Sequence, residues 1–406
     1  MYIFHTVFFL IQFYETKAGK IIAFFPVFRY NKISIYTTYT GTAQTALSAR
    51  TVKGIYMATI QDIADRLGVS KGTVSKAINN APDISETLRK TILDTAVEMG
   101  YTRLRRQKND AKRFCIIIEN MEYEEPHQFG YDFIIGFRQM AEPAGYVVDV
   151  IPVTENFQKK TPYDVFMLQN DYTGAFVLGF SLNDPWMKDF LTSHTPTVLY
   201  DNYIPANPFI ASIGIDNSEG MALAVSHLKK LGHKKIGYLS SALGSYIMQV
   251  RHKAFFQAMK QNGLKAEADS AGASYYVTKC IEKHLPRFLN MGMTAVICSH
   301  DQIANAAMVQ CQQLGYRVPG DISIIGFDDL PLCAYTSPPL TTVRQDRTIL
   351  GKCGFYAMDS ILNQVSIGSI LIHAQLIERH STGPAPEAPK KQLSPGYQNN
   401  KSANHR

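Results

Sequence analysis

Residues 57–101 read MATIQDIADRLGVSKGTVSKAINNAPDISETLRKTILDTAVEMGY and predict two short helices joined by a tight turn, then a third helix. The apolar residues of the first predicted helix recur on one helical face: Ile60, Ile63, Ala64 and Leu67. Gly68 supplies the turn that ends this helix, and Ser70 is placed to cap the next one. Two apolar stripes that face each other across a glycine-containing turn are typical of a helix-turn-helix.

The outward face of the second predicted helix carries basic and hydroxyl side chains and no acidic residue. Its members are Lys71, Gly72, Thr73, Ser75 and Lys76. Lysine can reach guanine acceptors or phosphates in the major groove, and hydroxyl groups can reach either, while a glycine removes bulk. An ordinary three-helix bundle is the alternative, but this face favours double-stranded DNA as a partner.

The composition predicts a chain of two or three domains with a sizeable core, since 46% of its 406 residues are hydrophobic. The formal net charge of +7 is unevenly distributed. One basic cluster contains a single acid, Asp110, among Arg103, Arg105, Arg106, Lys108, Lys112 and Arg113. We therefore predict a basic hinge or linker over residues 103–113 that approaches a polyanion, although such runs are often only solvated linkers.

Several kinds of chemistry find no support in the sequence. The six cysteines form no CxxC pair and no histidine stands at metal-ligand spacing, so buried reduced thiols in a cytoplasmic protein are expected. The chain has no GxGxxG, GxxxxGK[ST] or GxSxG motif. We therefore predict that the protein is not an enzyme and needs no cofactor or metal.

Residues 1–56 differ from the rest of the chain. Their first stretch, MYIFHTVFFLIQFYE, is apolar but too short for a membrane span, and residues 21–56 show no pattern of helix or strand. We interpret residues 1–56 as an upstream extension outside the fold, with Met57 as the functional beginning and no membrane expected. A membrane anchor or interfacial segment is the alternative.

From residue 114 onward, short apolar runs alternate with amphipathic helices, which is typical of a parallel sheet covered by helices. The number of such units exceeds what one lobe holds, so we predict two similar lobes over residues 114–382. Polar residues that follow the strands could face one cleft, because ligands bind beyond the carboxyl ends of parallel strands. They are Ser181, Asp201, Asp216, Ser240, Ser241, His300 and Asp328.

Three stretches together resemble the lactose/galactose-repressor family of bacterial transcription regulators. They are TIQDIADRLGVSKGTVSKAIN, TLRKTILDTAVEMGY and HDQIANAAMVQCQQLGYRVPGDISIIGFDDLPLCAYTSPPLTTVRQD. The resemblance covers about residues 58–382 and implies an α/β fold with a three-helix headpiece (57–102) and a two-lobed core, similar to periplasmic sugar-binding proteins, of two doubly wound parallel sheets. It also implies a homodimeric repressor that reads a near-palindromic operator under control of a small-molecule effector.

The resemblance assigns roles to individual residues. Lys71, Gly72 and Lys76 occupy base-reading positions, and Thr73 and Ser75 those of phosphate contacts. In the core, the ligand-binding positions fall on Asp201, Arg251, Tyr275, His300 and Asp328. Arg251 stands where the family has an arginine that clamps the ligand, and Asp328 where it has a hydroxyl-binding carboxylate. A sugar or sugar derivative is the implied effector.

Two departures from the family pattern qualify these assignments. His300 stands where the family usually has asparagine, and imidazole offers its donor and acceptor at different angles, so a non-sugar effector such as a nucleobase is an alternative. We expect the neighbouring Asp301 to cap the following helix. The hinge lacks the usual proline and small residues, with Leu104 as its only apolar candidate, so we expect Arg103, Arg105 and Arg106 to bind phosphates with weak kinking of DNA.

Two further expectations concern rival functions and the carboxyl terminus. A solute-binding transport component would share the two-lobed core, but the headpiece argues against it. Residues 383–406 are rich in Pro, Asn and Lys without heptads, so we predict a disordered tail and a dimer as the default assembly.

Overall fold

The computed structural model describes residues 12–15, 21–24, 58–101 and 112–388. The chain divides into two compact units, Met1–Met57 and Ala58–Arg406. In the first unit, strands β1 (Gln12–Glu15) and β2 (Ile21–Phe24) pair antiparallel. The sequence predicts no strand at β2, because an apolar run of four residues is too short to show a period.

The second unit begins with the predicted helix-turn-helix headpiece. Its helices are α1 (Ile60–Leu67), α2 (Lys71–Ile78) and α3 (Glu86–Glu98). Thr59, Ser70 and Ser85 cap them by accepting hydrogen bonds from backbone N–H groups in the first turns. Gly68 ends α1 at a φ of 65°, a left-handed conformation that glycine adopts without steric cost. The predicted helix-turn-helix is confirmed.

The amino-terminal lobe is a six-stranded parallel sheet with strand order β13-β7-β6-β5-β3-β4. Its strands are β3 (Arg113–Ile118), β4 (Val147–Pro152), β5 (Tyr172–Leu178), β6 (Thr197–Tyr200), β7 (Ile210–Ile215) and β13 (Ser369–Ile372). Its helices are α4 (Tyr131–Ala141), α5 (Glu155–Lys160), α6 (Tyr163–Gln169), α7 (Trp186–Asp189) and α12 (Arg347–Leu362). Apolar clusters cover both faces of the sheet, as expected where helices flank parallel strands.

The carboxyl-terminal lobe repeats this plan with strand order β14-β12-β11-β10-β8-β9. Its strands are β8 (Ile236–Ser240), β9 (Ala271–Ala273), β10 (Ala295–Cys298), β11 (Ser323–Asp328), β12 (Thr341–Arg344) and β14 (Gln375–Ile377). Its helices are α8 (Asn217–Lys230), α9 (Tyr246–Gln261), α10 (Val277–Asn290) and α11 (Asp301–Gln313). Only the edge strand β14 runs antiparallel among the paired strands that the structure describes in this sheet. The predicted pair of doubly wound sheets is confirmed.

The chain crosses between the lobes three times in the described residues. The crossings lie at Asp216 between β7 and α8, at residues 345–346 between β12 and α12, and at residues 373–374 between β13 and β14. The sequence pattern predicts crossings near Asp216 and Asn217, near residues 343–346 and after Gln364, and the observed positions agree with it. Each lobe is therefore built from discontinuous stretches of sequence, and the three crossings are the segments that join the lobes.

The headpiece packs directly on the amino-terminal lobe. Its apolar core contains Ile63, Val74 and Ile92 from the three helices, and Leu168 of α6 completes the cluster. Leu168 is 4% exposed, so the contact removes it from solvent. The headpiece is thus attached through packed side chains as well as through the chain that links it to β3.

The predicted start of the disordered tail needs correction, and the rest of the tail and most of the predicted hinge lie outside the described residues. Gly383 donates a backbone hydrogen bond to Ser323 Oγ at 3.1 Å and Ala385 donates one to the Leu231 carbonyl at 2.8 Å. The prediction of disorder from residue 383 is therefore wrong for residues 383–385, because backbone hydrogen bonds hold this segment to the carboxyl-terminal lobe where its composition suggested no order. Residues 389–406, and the hinge arginines with Leu104, lie outside the described residues.

All six cysteines are free, and Cys353 is half-buried while the other five are buried. Among the described residues, no helix combines the length and apolar character that crossing a membrane requires.

Candidate functional site

The exposed face of α2 carries the predicted DNA-reading residues. Ser70 accepts a hydrogen bond from the Thr73 backbone N–H, with 3.0 Å between Oγ and nitrogen, and so fixes the start of the helix. Val74, Ala77 and Ile78 are buried in the headpiece core. That packing leaves the opposite side accessible: Lys71, Gly72, Thr73, Ser75 and Lys76. The five residues therefore lie on one surface, as the sequence predicts.

Lys76, at the end of this surface, pairs with an acid inside the headpiece. Its Nζ contacts the carboxylate of Asp83, and the two side chains are 57% and 54% exposed. The ammonium group lowers the pKa of Asp83 below its ordinary value. The ion pair is exposed to solvent, so a DNA phosphate or base acceptor can compete with Asp83 for the lysine.

Arg89 of α3 is a structural residue of the headpiece that the sequence does not reveal. It is 5% exposed and donates to the carbonyls of Ala77, Ala81 and Ile84, at 3.4, 2.9 and 3.2 Å. These contacts hold the end of α2 and the turn after it against α3. An arginine beside Lys90 in a polar helix indicates a solvated face, so only the tertiary structure shows its burial.

A cleft of about 830 Å³ lies between the two lobes of the core. The residues that line it come from both lobes and include Gln128, Phe129, Ser181, Tyr200, Asp201, Met248, Arg251, His300, Asp328, Leu330 and Gln345. A volume of this size with convergent polar groups is typical of a small-molecule site. The carboxyl ends of the strands face it, as the sequence predicts.

Arg251 of α9 stands at the floor of the cleft and is 2% exposed. Its Nε donates to Asn217 Oδ1 at 2.7 Å and its Nη1 donates to the Ser299 carbonyl at 2.6 Å. Nη1 also lies 3.5 Å from Asp328 Oδ1, and the guanidinium carbon lies 3.8 Å from the centroid of the Phe327 ring. These partners fix the guanidinium at the floor of the cleft, which is the arrangement expected of a clamp.

Asp328, the last residue of β11, has strained backbone geometry. Its φ of 112° is rarely adopted by a residue with a side chain, and the surrounding contacts maintain it. Its Oδ1 accepts from Gln345 Nε2 at 2.6 Å, and its carbonyl accepts from Arg347 Nη1 at 3.0 Å. Burial raises the pKa of Asp328 while the Arg251 guanidinium opposes this. This backbone geometry orients the Asp328 carboxylate at the cleft, where it can accept hydrogen bonds from a ligand.

His300 caps α11 with its ring. The Nδ1 atom accepts from the Ile303 backbone N–H at 3.4 Å, and burial lowers the pKa of His300, which favours the neutral ring. A neutral imidazole whose Nδ1 accepts carries its proton on Nε2. The expectation that Asp301 caps this helix is wrong: its carboxylate accepts from Leu330 N at 2.8 Å and Thr342 Oγ1 at 2.6 Å. Asp301 does not cap the helix because these two donors hold its buried carboxylate.

Asp201 also lines the cleft, directly after β6, with a φ of 55°. Its Oδ1 is buried and has no hydrogen-bond partner. Burial raises the pKa of Asp201 to about 6, although Arg251 opposes the shift. This oxygen has no exposed surface, so Asp201 lines the cleft with its other atoms.

Tyr275 lies elsewhere. Its side chain is 78% exposed, its ring centroid lies 5.0 Å from that of Tyr276, and it is not among the residues that line the cleft. Asp216, Ser240 and Ser241 also lie off the cleft lining, and Asp216 instead caps α8 by accepting from two backbone N–H groups. Of the seven polar residues that follow strands, Ser181, Asp201, His300 and Asp328 line the cleft and the other three do not. Position after a strand therefore does not by itself place a residue at the cleft.

Three residues at the cleft were missed by the sequence-based reasoning. Gln345 follows β12 at the second crossing, Asn217 begins α8 after the first, and Phe129 lies in the loop before α4. The first two could have been found, because both stand within or next to predicted crossings of the chain. Phe129 shows no such signal, since its loop has no periodicity.

A helix-turn-helix headpiece joined to a two-lobed core with a polar cleft defines the class of DNA-binding transcriptional regulators. The family model of bacterial regulatory proteins of the lacI family matches residues 59–103, and that of the periplasmic binding protein-like domain matches residues 225–382. The HTH-type transcriptional repressor PurR of Aliivibrio salmonicida is 30% identical over 303 residues, 73% of this chain and 90% of that protein. The chain therefore belongs to the lacI family of bacterial transcriptional repressors and is not an enzyme.

Other relatives and solved structures agree with this family. The repressor CytR of Escherichia coli (strain K12) is 28% identical over 81% of this chain and 97% of its own length. A complex of the regulator CelR with cellobiose superposes with a TM-score of 0.59 at 20% identity, covering 80% of this chain and 99% of that one. A lac repressor dimer bound to operator superposes with a TM-score of 0.56 at 22% identity, covering 81% and 100%. These structures support the fold.

Proposed function

We propose that this repressor binds a near-palindromic DNA operator as a homodimer in the cytoplasm, and that a small molecule in the cleft changes its operator affinity. The effector we favour is a sugar or sugar derivative. The observation that carries the proposal is the contact between the floor of the cleft and the crossings that join the lobes.

Two crossings supply side chains to the floor. Asn217, next to the first crossing, accepts from Arg251, and Gln345, in the second, donates to Asp328 while accepting from the Tyr200 hydroxyl at 3.1 Å. Tyr200 belongs to the amino-terminal lobe and Asp328 to the other, so Gln345 links the two lobes. A ligand that bonds to Arg251 or Asp328 must act on residues that set the angle between the lobes.

A further bridge connects the floor to the helices of the amino-terminal lobe. Arg347 of α12 donates to the Asp328 carbonyl at 3.0 Å and lies 3.3 Å from Asp132 of α4. Closure of the lobes would therefore move α4 and α12 together. In a dimer such a movement changes the spacing of the headpieces, and the coupling free energy between sites is commonly about 1–3 kcal/mol.

The groups at the floor suit a polyhydroxylated ligand. The Asp328 carboxylate can accept from hydroxyls, Arg251 can donate to their oxygens, and a neutral His300 offers a donor from Nε2. A nucleobase is the second candidate, favoured by the aromatic rings of Phe129 and Tyr200, whose centroids lie 6.4 Å apart on the cleft lining. Both classes are compatible with the 830 Å³ cleft.

On the DNA side, Lys71, Gly72 and Lys76 are proposed to read bases, and Thr73 and Ser75 to contact phosphates. The hinge arginines Arg103, Arg105 and Arg106 are proposed to add phosphate contacts. The exposed surface of α2 supports the first assignment, because no acidic side chain belongs to it.

Selection of binding sites from random double-stranded DNA with the full chain tests the DNA-binding half. We expect an enriched motif with two-fold symmetry. Lys76→Ala should reduce discrimination at one position of each half-site by about 1–3 kcal/mol. Lys90→Ala, which removes an exposed lysine from α3, is the matched control and should leave the motif unchanged. Equal loss at every sequence would make Lys76 a phosphate contact.

A thermal-shift screen of the full chain with sugars, sugar phosphates and nucleobases tests the second part of the proposal, that a small molecule in the cleft changes operator affinity. A compound that raises Tm should also change the affinity for the selected operator in a gel-shift titration. Compounds that raise Tm without changing operator affinity would refute the coupling between the cleft and the headpiece.

A further inference from the structure

The positive charge of the chain is concentrated in one part of the carboxyl-terminal lobe. Residues 217–290 contain eleven lysines and arginines but four aspartates and glutamates, so their formal net charge of +7 equals that of the whole chain. The headpiece, by contrast, has five basic and six acidic side chains between residues 57 and 102. The excess charge therefore lies outside the helix-turn-helix.

Six exposed lysines of this region share one end of the lobe. The carboxyl ends of the parallel strands face the cleft, so the segments that lead into β8 and β9 lie at the opposite end, together with the last turns of α8 and α9. The lysines at this end are Lys229, Lys230, Lys234, Lys235, Lys260 and Lys265. We call this end of the carboxyl-terminal lobe the far pole.

The far pole and the headpiece lie at opposite ends of the second unit. The headpiece packs on Leu168, which precedes β5 and so lies at the end of the amino-terminal lobe away from the cleft. The cleft lies between the two lobes. A DNA duplex that lies across the headpiece is therefore separated from the far pole by both lobes, and a polyanion bound at the far pole is a second partner.

Three lysines of the far pole converge on one groove. Lys234, Lys235 and Lys265 line a cavity of about 570 Å³. The six lysines outnumber the acids at this end, which are Glu267 and Asp269 on the same lining and Glu387 beyond the backbone hydrogen bond of Ala385 to Leu231. The far pole is therefore a basic surface and not a mixture of balanced charges.

Most lysines of the far pole have ammonium groups available to a partner. In the described part of the chain, Lys76 and Lys159 form salt bridges and no lysine of the far pole does. The Nζ atom of Lys235 is already used, because it donates to a backbone carbonyl at the end of α10 at 3.0 Å. Lysines in the last turn of a helix offset its dipole, but Lys234 and Lys265 lie beyond the helix ends. The helix dipoles therefore do not account for the whole cluster.

We propose that the far pole binds a second DNA duplex through its phosphates, without sequence preference. Exposed lysines neutralise phosphates, and the counterions that leave the DNA supply the affinity. An acidic protein would have to match the positions of the lysines, whereas the closely and regularly spaced phosphates of a duplex meet them in any register. This inference goes beyond the proposed function, because the far pole belongs neither to the headpiece nor to the cleft. The repressor then holds two duplexes at once.

Capture of two duplexes by the full chain tests the proposal. An operator selected from random DNA is immobilised, the repressor is bound to it, and a fluorescent duplex of unrelated sequence is added at about 50 mM salt. The operator occupies the headpieces, so we expect the far pole to retain the second duplex and to release it as the salt concentration rises. Immobilised operator without repressor gives the background. Captured repressor that retains no second duplex would overturn the inference.

Two double variants with equal loss of charge locate the binding. Lys234→Gln with Lys265→Gln should lower the affinity for the second duplex about tenfold or more, and should reduce the slope of log affinity against log salt by about 2. Lys253→Gln with Lys279→Gln is the matched control, because these exposed lysines lie in the first halves of α9 and α10, and it should retain the duplex. Equal losses in both would contradict the site. Lys234→Glu replaces the first variant if that one fails to fold.

A further measurement separates this inference from the proposed function. A chain that captures no operator contradicts the proposed function, and fluorescence anisotropy with the unrelated duplex then tests the far pole in Lys71→Ala with Lys76→Ala. The affinity that remains should fall about tenfold when Lys234→Gln and Lys265→Gln are added, and an unchanged affinity would refute the inference. Polyglutamate that is retained in place of DNA, with the same dependence on Lys234 and Lys265, would make an acidic protein the partner and overturn the assignment of DNA.

Discussion

The exposed face of α2 and the floor of the cleft are both polar, yet they are built in opposite ways. The exposed face of α2 comes from five residues within one turn and a half of helix, and its lysines are exposed to solvent. The floor comes from Asp201, Arg251 and Asp328, which belong to three separate elements, and Arg251 is 2% exposed. Charge is thus solvated at one site and buried at the other.

The polar groups at the two sites are therefore oriented by different means. On α2, helix geometry alone places side chains on one surface, and their charges cost little because water reaches them. In the cleft, Arg251 and Asp328 are held by partners, because burial of an unpaired charge is costly. Substitutions should therefore destabilise the cleft far more than the headpiece surface.

Arg251→Met should produce the largest loss. Removal of one partner from a buried ion pair costs about 3–5 kcal/mol, because Asp328 loses its counter-charge while Asn217 and the Ser299 carbonyl lose a hydrogen-bond donor. Urea unfolding of the full chain measures the loss. The matched control is Arg66→Met, which breaks the exposed pair with Glu98 and should cost about 1 kcal/mol or less. Similar losses for both variants would contradict the contrast between the two regions.

Arg89→Met should show that the headpiece also contains a charged side chain that is buried and held by hydrogen bonds, as Arg251 is in the cleft. The loss of its hydrogen bonds to carbonyls at the end of α2 should cost about 1.5–3 kcal/mol of local stability. Hydrogen exchange of the α2 amides measures it, and operator affinity should fall with it. Lys90→Met, on the adjacent exposed position, serves as the control. Unchanged exchange in Arg89→Met would show that α2 does not depend on this arginine.

Asp201→Asn should change the pH dependence of stability. Burial raises the pKa of Asp201 from 3.8 to about 6, so the folded protein binds this proton more tightly than the unfolded chain. Wild-type stability should therefore fall relative to that of the variant as pH rises from about 4 to 6, by on the order of 2 kcal/mol. Urea unfolding across this range measures the difference. Asp94→Asn, at an exposed position, should show no such trend.

Asp83→Asn should have the smallest effect. Without its acid partner, Lys76 is free to contact DNA, so operator affinity should rise by about two- to fivefold at low salt. Gel-shift titrations at two salt concentrations measure the change, which should shrink at the higher one. Asp94→Asn removes the same charge from the headpiece without touching Lys76. An equal gain in that variant would assign the effect to net charge instead of the ion pair.

Much of the fold could be predicted because its signals are local. The apolar runs that became β5, β10 and β11 are continuous, as expected of strands buried on both faces, and the glycine turn after α1 is explicit in the sequence. Arg251 and Asp328 could be placed through family resemblance. Tyr275 was misplaced by the same route, because its alignment had no nearby motif to fix its register, and the structure leaves it exposed.

Asp301 shows that position in the sequence does not by itself identify the residue that caps a helix. It stands where a helix cap belongs, but Thr342 and Leu330 attract its carboxylate into the core, and His300 caps the helix instead. Those partners are about 30 to 40 residues away along the chain. Only packing decides between such competing hydrogen bonds.

The sequence by itself determined the helix-turn-helix, the alternation of strands and helices, and the basic surface of α2, because helix and strand periods act over a few residues. Tertiary packing set the burial of Arg89, the contact of Leu168 with the headpiece, and the cleft that brings Asp201, Arg251 and Asp328 together. These features depend on which distant segments meet, and that is set by the packing of whole lobes and not by local preference.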